Sequence, residues 1–217
     1  MSTGDEIIKL EEGYSKVRSE GIEPFLRYIE ENNREFFKAK EFVKLYDLIF
    51  KMCIQRDPYN WSGDMYERYC KSIRDYLKEK VAPNLMQIQK SNFETDFLKE
   101  WDKRWNNQRL IVKGLSKLFM YLDRFYTPNT DDVLPLVDQG YKLYKDIIFD
   151  PFAEYARKCI LNSIQRERDA EQQDRHLLSQ AVQVFVEMGI YRDWETDRKS
   201  TRLNSSHSRA SRMPSSA

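Results

Sequence analysis

From about residue 5 onward, apolar residues recur three and four positions apart along nearly the whole chain, and alternating strand-like runs are very few. The pattern predicts an all-α protein with helices over 5–31, 38–55, 62–81, 94–126, 133–161 and 173–189. The breaks have a chemical basis. "RDPYNWSGD" (56–64) stops one helix at Pro58 and offers Ser62 as N-cap to the next, and "TPNTDD" (127–132) stops the fourth at Pro128. Asp150-Pro151 predicts a kink or boundary inside the fifth segment, and Gly189 is placed to close the last helix. Helices joined by such short connections pack as antiparallel neighbours in a bundle or solenoid.

Two segments carry more apolar surface than one core face uses. On a helical wheel beginning at Phe42, Leu45, Leu48, Ile49 and Met52 fall between about 240° and 340°, enough for one buried face. Cys53, Tyr46, Phe50, Val43 and Ile54 continue the arc from about 20° to 120°. With Ile111 at the origin, Phe125, Leu118, Leu122, Leu115, Tyr126, Phe119 and Val112 fill a core arc of about 140°. Beside it lie Tyr121, Lys117, Arg124, Lys113 and Met120. An aromatic ring with an arginine and flanking lysines is the chemistry of an interface anchor, the ring supplying area and the guanidinium directional bonds. It points to a partner that is acidic around an apolar centre. The alternative is that Tyr46 and Phe50 meet another helix of the same bundle while Lys117 and Arg124 form a solvated face.

Composition narrows the class further. With 217 residues the chain is long enough for a buried core without metal or disulfide staples. Its 41% hydrophobic and 33% charged content, with 7 Gly and 7 Pro, is that of a charge-rich helical protein. Cys53, Cys70 and Cys159 are an odd number without a CxxC, which suits buried thiols in a reducing compartment better than a disulfide framework or zinc site. No run reaches the ~20 apolar residues of a membrane span and the N-terminus lacks a signal-peptide pattern, so a cytoplasmic and nuclear location is expected, with no membrane partner.

After Trp194 the composition changes abruptly. Asp197 to His207 reads DRKSTRLNSSH, the translation of a common short-read sequencing adapter, and Ser211 to Ala217 follows its further stretch. Residues 197–217 are therefore read as a non-native scar that cuts the natural protein short, with 192–196 doubtful. This changes the charge: the tail's net +4, set against +1 for the whole chain, leaves the body at −3. A mildly acidic body offers no global attraction to nucleic acid, and no nucleic-acid partner is expected.

Catalytic and cofactor signatures are missing. The body's one histidine, His176, sits in the charged run "EQQDRHLL" without an HxxH or HExxH partner, and reads as a solvated helix residue. Glycines are scattered singly, so no GxGxxG or GxxxxGK[ST] loop exists. No cofactor, metal or catalytic residue is expected.

"KLYDLIFKMC", "KRWNNQRLIVKGLSKLFMYLDRFY" and "QRERDAEQQDRHLLSQAVQVFVEMGI" together resemble the amino-terminal region of cullins, the elongated scaffolds of multisubunit ubiquitin ligases, in order over residues 5–191. The resemblance implies a stalk of five-helix cullin repeats: residues 1–150 the first repeat, 151–191 the truncated start of a second, and 192–217 a non-native tail. In the family the second and fifth helices of the first repeat receive the adaptor that carries the substrate receptor. Carried over, the receiving positions are Phe42, Val43, Tyr46 and Phe50 with Lys117, Tyr121 and Arg124. The start and "LYDLIFKMC" look most like the branch that docks the acidic F-box-binding adaptor, with a BTB-type receptor or a purely structural repeat as alternatives. Phe42 and Phe50 stand where relatives frequently have tyrosine. The region that recruits the RING-finger subunit is missing, so the fragment is expected to be a non-enzymatic scaffold piece that supports ubiquitination only within the full-length protein.

An unfinished second repeat also implies that the apolar side of "LLSQAVQVFVEMGI" lacks neighbours and favours self-association.

Overall fold

The computed structural model describes residues 7–32, 38–169 and 172–189. These residues are helical almost throughout, with no strand among them, as the apolar periodicity predicts. Rod α1 covers 10–30 and joins Leu10–Val17, a π-turn Arg18–Ile22 and Glu23–Glu30. Helix α2 is Ala39–Ile54. Rod α3 covers 62–91 through Ser62–Tyr76, a π-turn Leu77–Val81 and Ala82–Ser91. Helix α4, Glu94–Leu118, is extended after a break at Phe119 by the short α5, Met120–Phe125. Rod α6 covers 136–168 through Leu136–Tyr144, a π-turn Lys145–Phe149 and Asp150–Arg168, and α7 covers 175–189.

The three π-turns share a cause. Each ends two residues before a proline: Pro24, Pro83 and Pro151. In an α-helix the proline ring would strike the carbonyl four residues back. Here the residue before each proline donates its N–H five residues back instead, Glu23 to Arg18, Ala82 to Leu77 and Asp150 to Lys145. The extra residue in the turn moves the offending carbonyl aside and the helix continues. This corrects the expected end of the third helix at 81: α3 runs ten residues further, to Ser91, and stops where Asn92 adopts a left-handed backbone at φ 56°. The expected kink at Asp150-Pro151 takes the same form, with the helix unbroken on either side.

Helix α4 is the axis of the assembly, packed by α1, α2, α3 and α6. Its buried face carries Phe97, Leu98, Trp101, Ile111, Leu115 and Leu118. Gly114 lies so close under α1 that a Cβ there would overlap the Phe25 ring. Inside the bundle Arg104, 5% exposed, bonds Glu100 through Nε at 2.6 Å and bonds Glu30, which also accepts the Tyr76 hydroxyl. Burial works against the arginine's charge, yet the carboxylates of Glu30 and Glu100 outweigh it and raise its pKa.

Helix α7 is better covered than expected. Leu177, Ala181, Val184 and Met188 are buried, Phe185 packs on Trp101 and Phe149, and Glu187 accepts from Trp105 Nε1 at 2.6 Å. Only Val182 and Val186 remain as exposed valines on this helix, so the side thought to lack neighbours is largely packed.

Smaller corrections concern ends. Ser62 is the first helical residue rather than the N-cap; its N–H and hydroxyl both donate to Asn60 Oδ1, at 3.0 and 2.7 Å. His176 is exposed at the start of α7, where Asp174 Oδ1 accepts its backbone N–H at 3.0 Å. The expected scar at 197–217 lies outside the described residues.

Candidate functional site

Helix α2 lies against the end of α4 and against α5. One flank of α2 is buried through Leu45, Ile49, Met52 and Cys53. The next flank holds the sequence-predicted positions: Phe42, Tyr46 and Phe50 are half-buried along the edge of the core, and Val43 is 63% exposed. Opposite them α5 presents Tyr121. Its ring meets Phe50 edge-on at 5.3 Å between centroids and lies 4.8 Å from Phe125. Tyr46 is close enough to raise the Tyr121 pKa, behind partial desolvation and Cys53 in importance. Of the seven predicted residues the structure thus brings Tyr46 and Phe50 together with Tyr121, while Phe42 and Val43 lie nearer the start of α2, Lys117 in the last turn of α4 and Arg124 on α5.

Charge is distributed unevenly along this strip. On α2 two lysines are already paired, Lys44 with Glu20 at 3.2 Å and Lys51 with Asp47 at 2.7 Å. Lys117, in the last turn of α4, and Arg124 on α5 are exposed and form no ion pair with the described residues. The α5 side is therefore a positively charged rim beside an apolar centre. Asp123, between them in sequence, turns inward: its Oδ1 accepts the Leu136 N–H at 2.8 Å, and burial raises its carboxyl pKa.

Two wheel assignments are corrected here. Phe125, placed in the core arc, is 56% exposed and joins the strip through Tyr121. The wheel assumed an unbroken helix from 111 to 126, whereas the break at Phe119 (φ −95°, ψ 16°) resets the phase of everything after it. The i,i+4 relation of Tyr121 to Phe125 carries the signal that finds it. Cys53, placed on the outer arc, is 1% exposed, because the start of α3 closes over it and Ser62 Oγ donates to its carbonyl at 3.3 Å. Burial pushes its thiol up to about 12, with that of Cys70 at about 12 and Cys159 at about 11, so all three are inert interior groups at neutral pH.

The sequence matches the Cullin alpha solenoid domain over residues 22–201. It is similar to Putative cullin-like protein 2 of Arabidopsis thaliana, 35% identical over 211 residues that make up 96% of this chain and 54% of the relative. It is also similar to Cullin-2 of Arabidopsis thaliana, 34% identical over 210 residues (95% of this chain, 27% of the relative). With Cullin-1 of Oryza sativa subsp. japonica it shares 30% identity over 184 residues (84% of this chain, 24% of the relative). The chain spans about half the length of the first of these relatives and about a quarter of the other two. A match over most of the chain, on an all-helical fold, makes this protein a member of the cullin family.

Proposed function

We propose that the chain is the adaptor-docking end of a cullin scaffold, with the α2/α5 strip as the seat. The scaffold belongs to a cullin-RING ubiquitin ligase, is not itself an enzyme, and acts in the cytoplasm and nucleus. It holds an adaptor with its substrate receptor here and the RING-finger subunit through a carboxy-terminal region. Residues 1–150 serve as the first cullin repeat and 151–191 as the opening of a second. The observation that carries the reading is the Phe50–Tyr121–Phe125 ring cluster, half-buried at Phe50 and Tyr121 and open at Phe125, with Lys117 and Arg124 nearby in sequence and in no ion pair with the described residues.

A partner fitting this strip inserts apolar side chains among the rings and sets carboxylates against the cations, which orients it and speeds encounter. That chemistry favours the acidic F-box-binding adaptor over a BTB-type receptor. Phe42 and Phe50 can give a partner ring area and no hydroxyl bond. A calorimetric titration with the F-box-binding adaptor tests the reading: the Tyr46→Ala/Tyr121→Ala pair is expected to weaken binding by at least about a hundredfold, the loss of two interface anchors. Equal affinity for parent and variant removes these residues from the site, and tighter binding of a BTB-domain protein reassigns the branch. The reading of 197–217 as translated adapter goes with this proposal; genomic sequence that continues past Tyr191 along a different course supports it, and genomic DNA encoding Asp197 to Ala217 in frame refutes it.

A further inference from the structure

A second concave surface lies along α4, upstream of the aromatic strip. It is a groove of about 810 Å³ between α4, the end of α1 and the start of α6. Lys103, Arg109, Lys113 and Lys117 line it, and among the described residues no carboxylate does. Two acids engage lining residues: Asp102 accepts from Asn106 at 3.0 Å, and Glu187 accepts from Trp105 and pairs with Arg109 at 3.6 Å. Lys103 and Lys113, both exposed, form no ion pair with the described residues. The floor is apolar, built from Ile29, Leu110, Val112 and Val137.

One buried group points to a ligand independently of the charges. Asn107 lines the groove and is 8% exposed, yet its Nδ2 meets no acceptor among the described residues. A buried amide donor left unpaired is costly, and a turn of this side chain toward the groove lets an entering carbonyl oxygen satisfy it.

We infer that this groove binds an extended acidic peptide segment of a partner protein, its carboxylates on the lysine row, a backbone carbonyl on Asn107 and one or two apolar side chains on the floor. The dimensions favour a chain over a compact anion. Lys103 and Lys117 are about 21 Å apart along the helix axis, the span of about six extended residues. A single phosphate reaches one or two of these cations and uses none of the apolar floor. The inference does not rest on the adaptor seat, and Lys117, at the end of the groove nearest that seat, is left unaltered in its test.

The test is fluorescence anisotropy of the full chain with a fluorescein-labelled peptide of about ten residues, Asp and Glu with two leucines. Saturable binding is expected, weakened at least about tenfold by Lys103→Glu/Lys113→Glu, which removes two charge contacts and adds repulsion. Lys103→Gln/Lys113→Gln is expected to give a smaller loss in the same direction. Asn107→Leu is expected to weaken binding about threefold while raising the Tm of the free chain, since it removes the orphan donor; a merely structural asparagine lowers the Tm instead. Unchanged affinity in the charge variants overturns the proposal. So does equal binding of a leucine-free peptide of the same charge, or tighter binding of inositol hexakisphosphate or a single-stranded oligonucleotide, each of which reduces the groove to a general anion surface.

Discussion

Two aromatic clusters are built on the same helical axis, and they end differently. Around Trp101 the rings of Phe97, Phe149 and Phe185 close on one another under α6 and α7, and Trp101 is 0% exposed. Around Tyr121 the rings of Phe50 and Phe125 stand closer still, at 5.3 and 4.8 Å between centroids, yet Phe125 stays 56% exposed. Ring chemistry does not separate the clusters; coverage does. Two further helices cross the first, while the second lies where α2 and α5 meet each other and present their outer flanks. An interior cluster contributes to stability through burial, and an uncovered one keeps that contribution for association.

Substitutions widen or erase this contrast. The largest effect on folding is expected from Trp101→Ala, about 4 kcal/mol by denaturant unfolding, since the residue is fully enclosed and the space cannot collapse around three fixed rings. Arg104→Met follows at about 3 kcal/mol, because Glu30 and Glu100 then share a half-dry site without their cation. Tyr121→Ala is expected to cost only about 1 kcal/mol, the worth of partly exposed ring contacts, while weakening adaptor binding far more. A loss above about 3 kcal/mol there makes Tyr121 a core residue and removes the contrast. The smallest effect concerns the thiols: with pKa values raised by burial, Cys53, Cys70 and Cys159 are expected to react with a thiol reagent at pH 8 only after denaturation. Rapid labelling of the native chain means that the α2–α3 junction over Cys53 opens.

The helical pattern was legible because burial follows period 3.6 wherever the backbone is regular. Leu45, Ile49 and Met52, and Ile111, Leu115 and Leu118, are buried as the wheels require. Misreadings fall where regularity is locally suspended. The helix expected to end at 81 continues past Pro83 because a π-turn accommodates the ring; the same device at Pro24 and Pro151 has no signature that periodicity detects. Phe125 was placed in the core because a one-residue break at Phe119 is invisible on a wheel. Cys53 shows that an arc's edge is assigned by the neighbouring element, here α3, which the sequence of α2 does not contain. The basic groove was least legible. Lys103, Arg109 and Lys113 look like an ordinary solvated face until α1 and α6 are placed beside them and Asn107 is left without an acceptor.

The seat itself is tested most directly by amide hydrogen exchange on the chain with and without the F-box-binding adaptor. Slowed exchange is expected over residues 42–54 and 117–126, with residues 97–105 and 144–152, around the closed cluster, unchanged. Slowing confined to other surfaces, or none at an adaptor concentration that saturates binding, contradicts the claim that the open rings of α2 and α5 receive a partner.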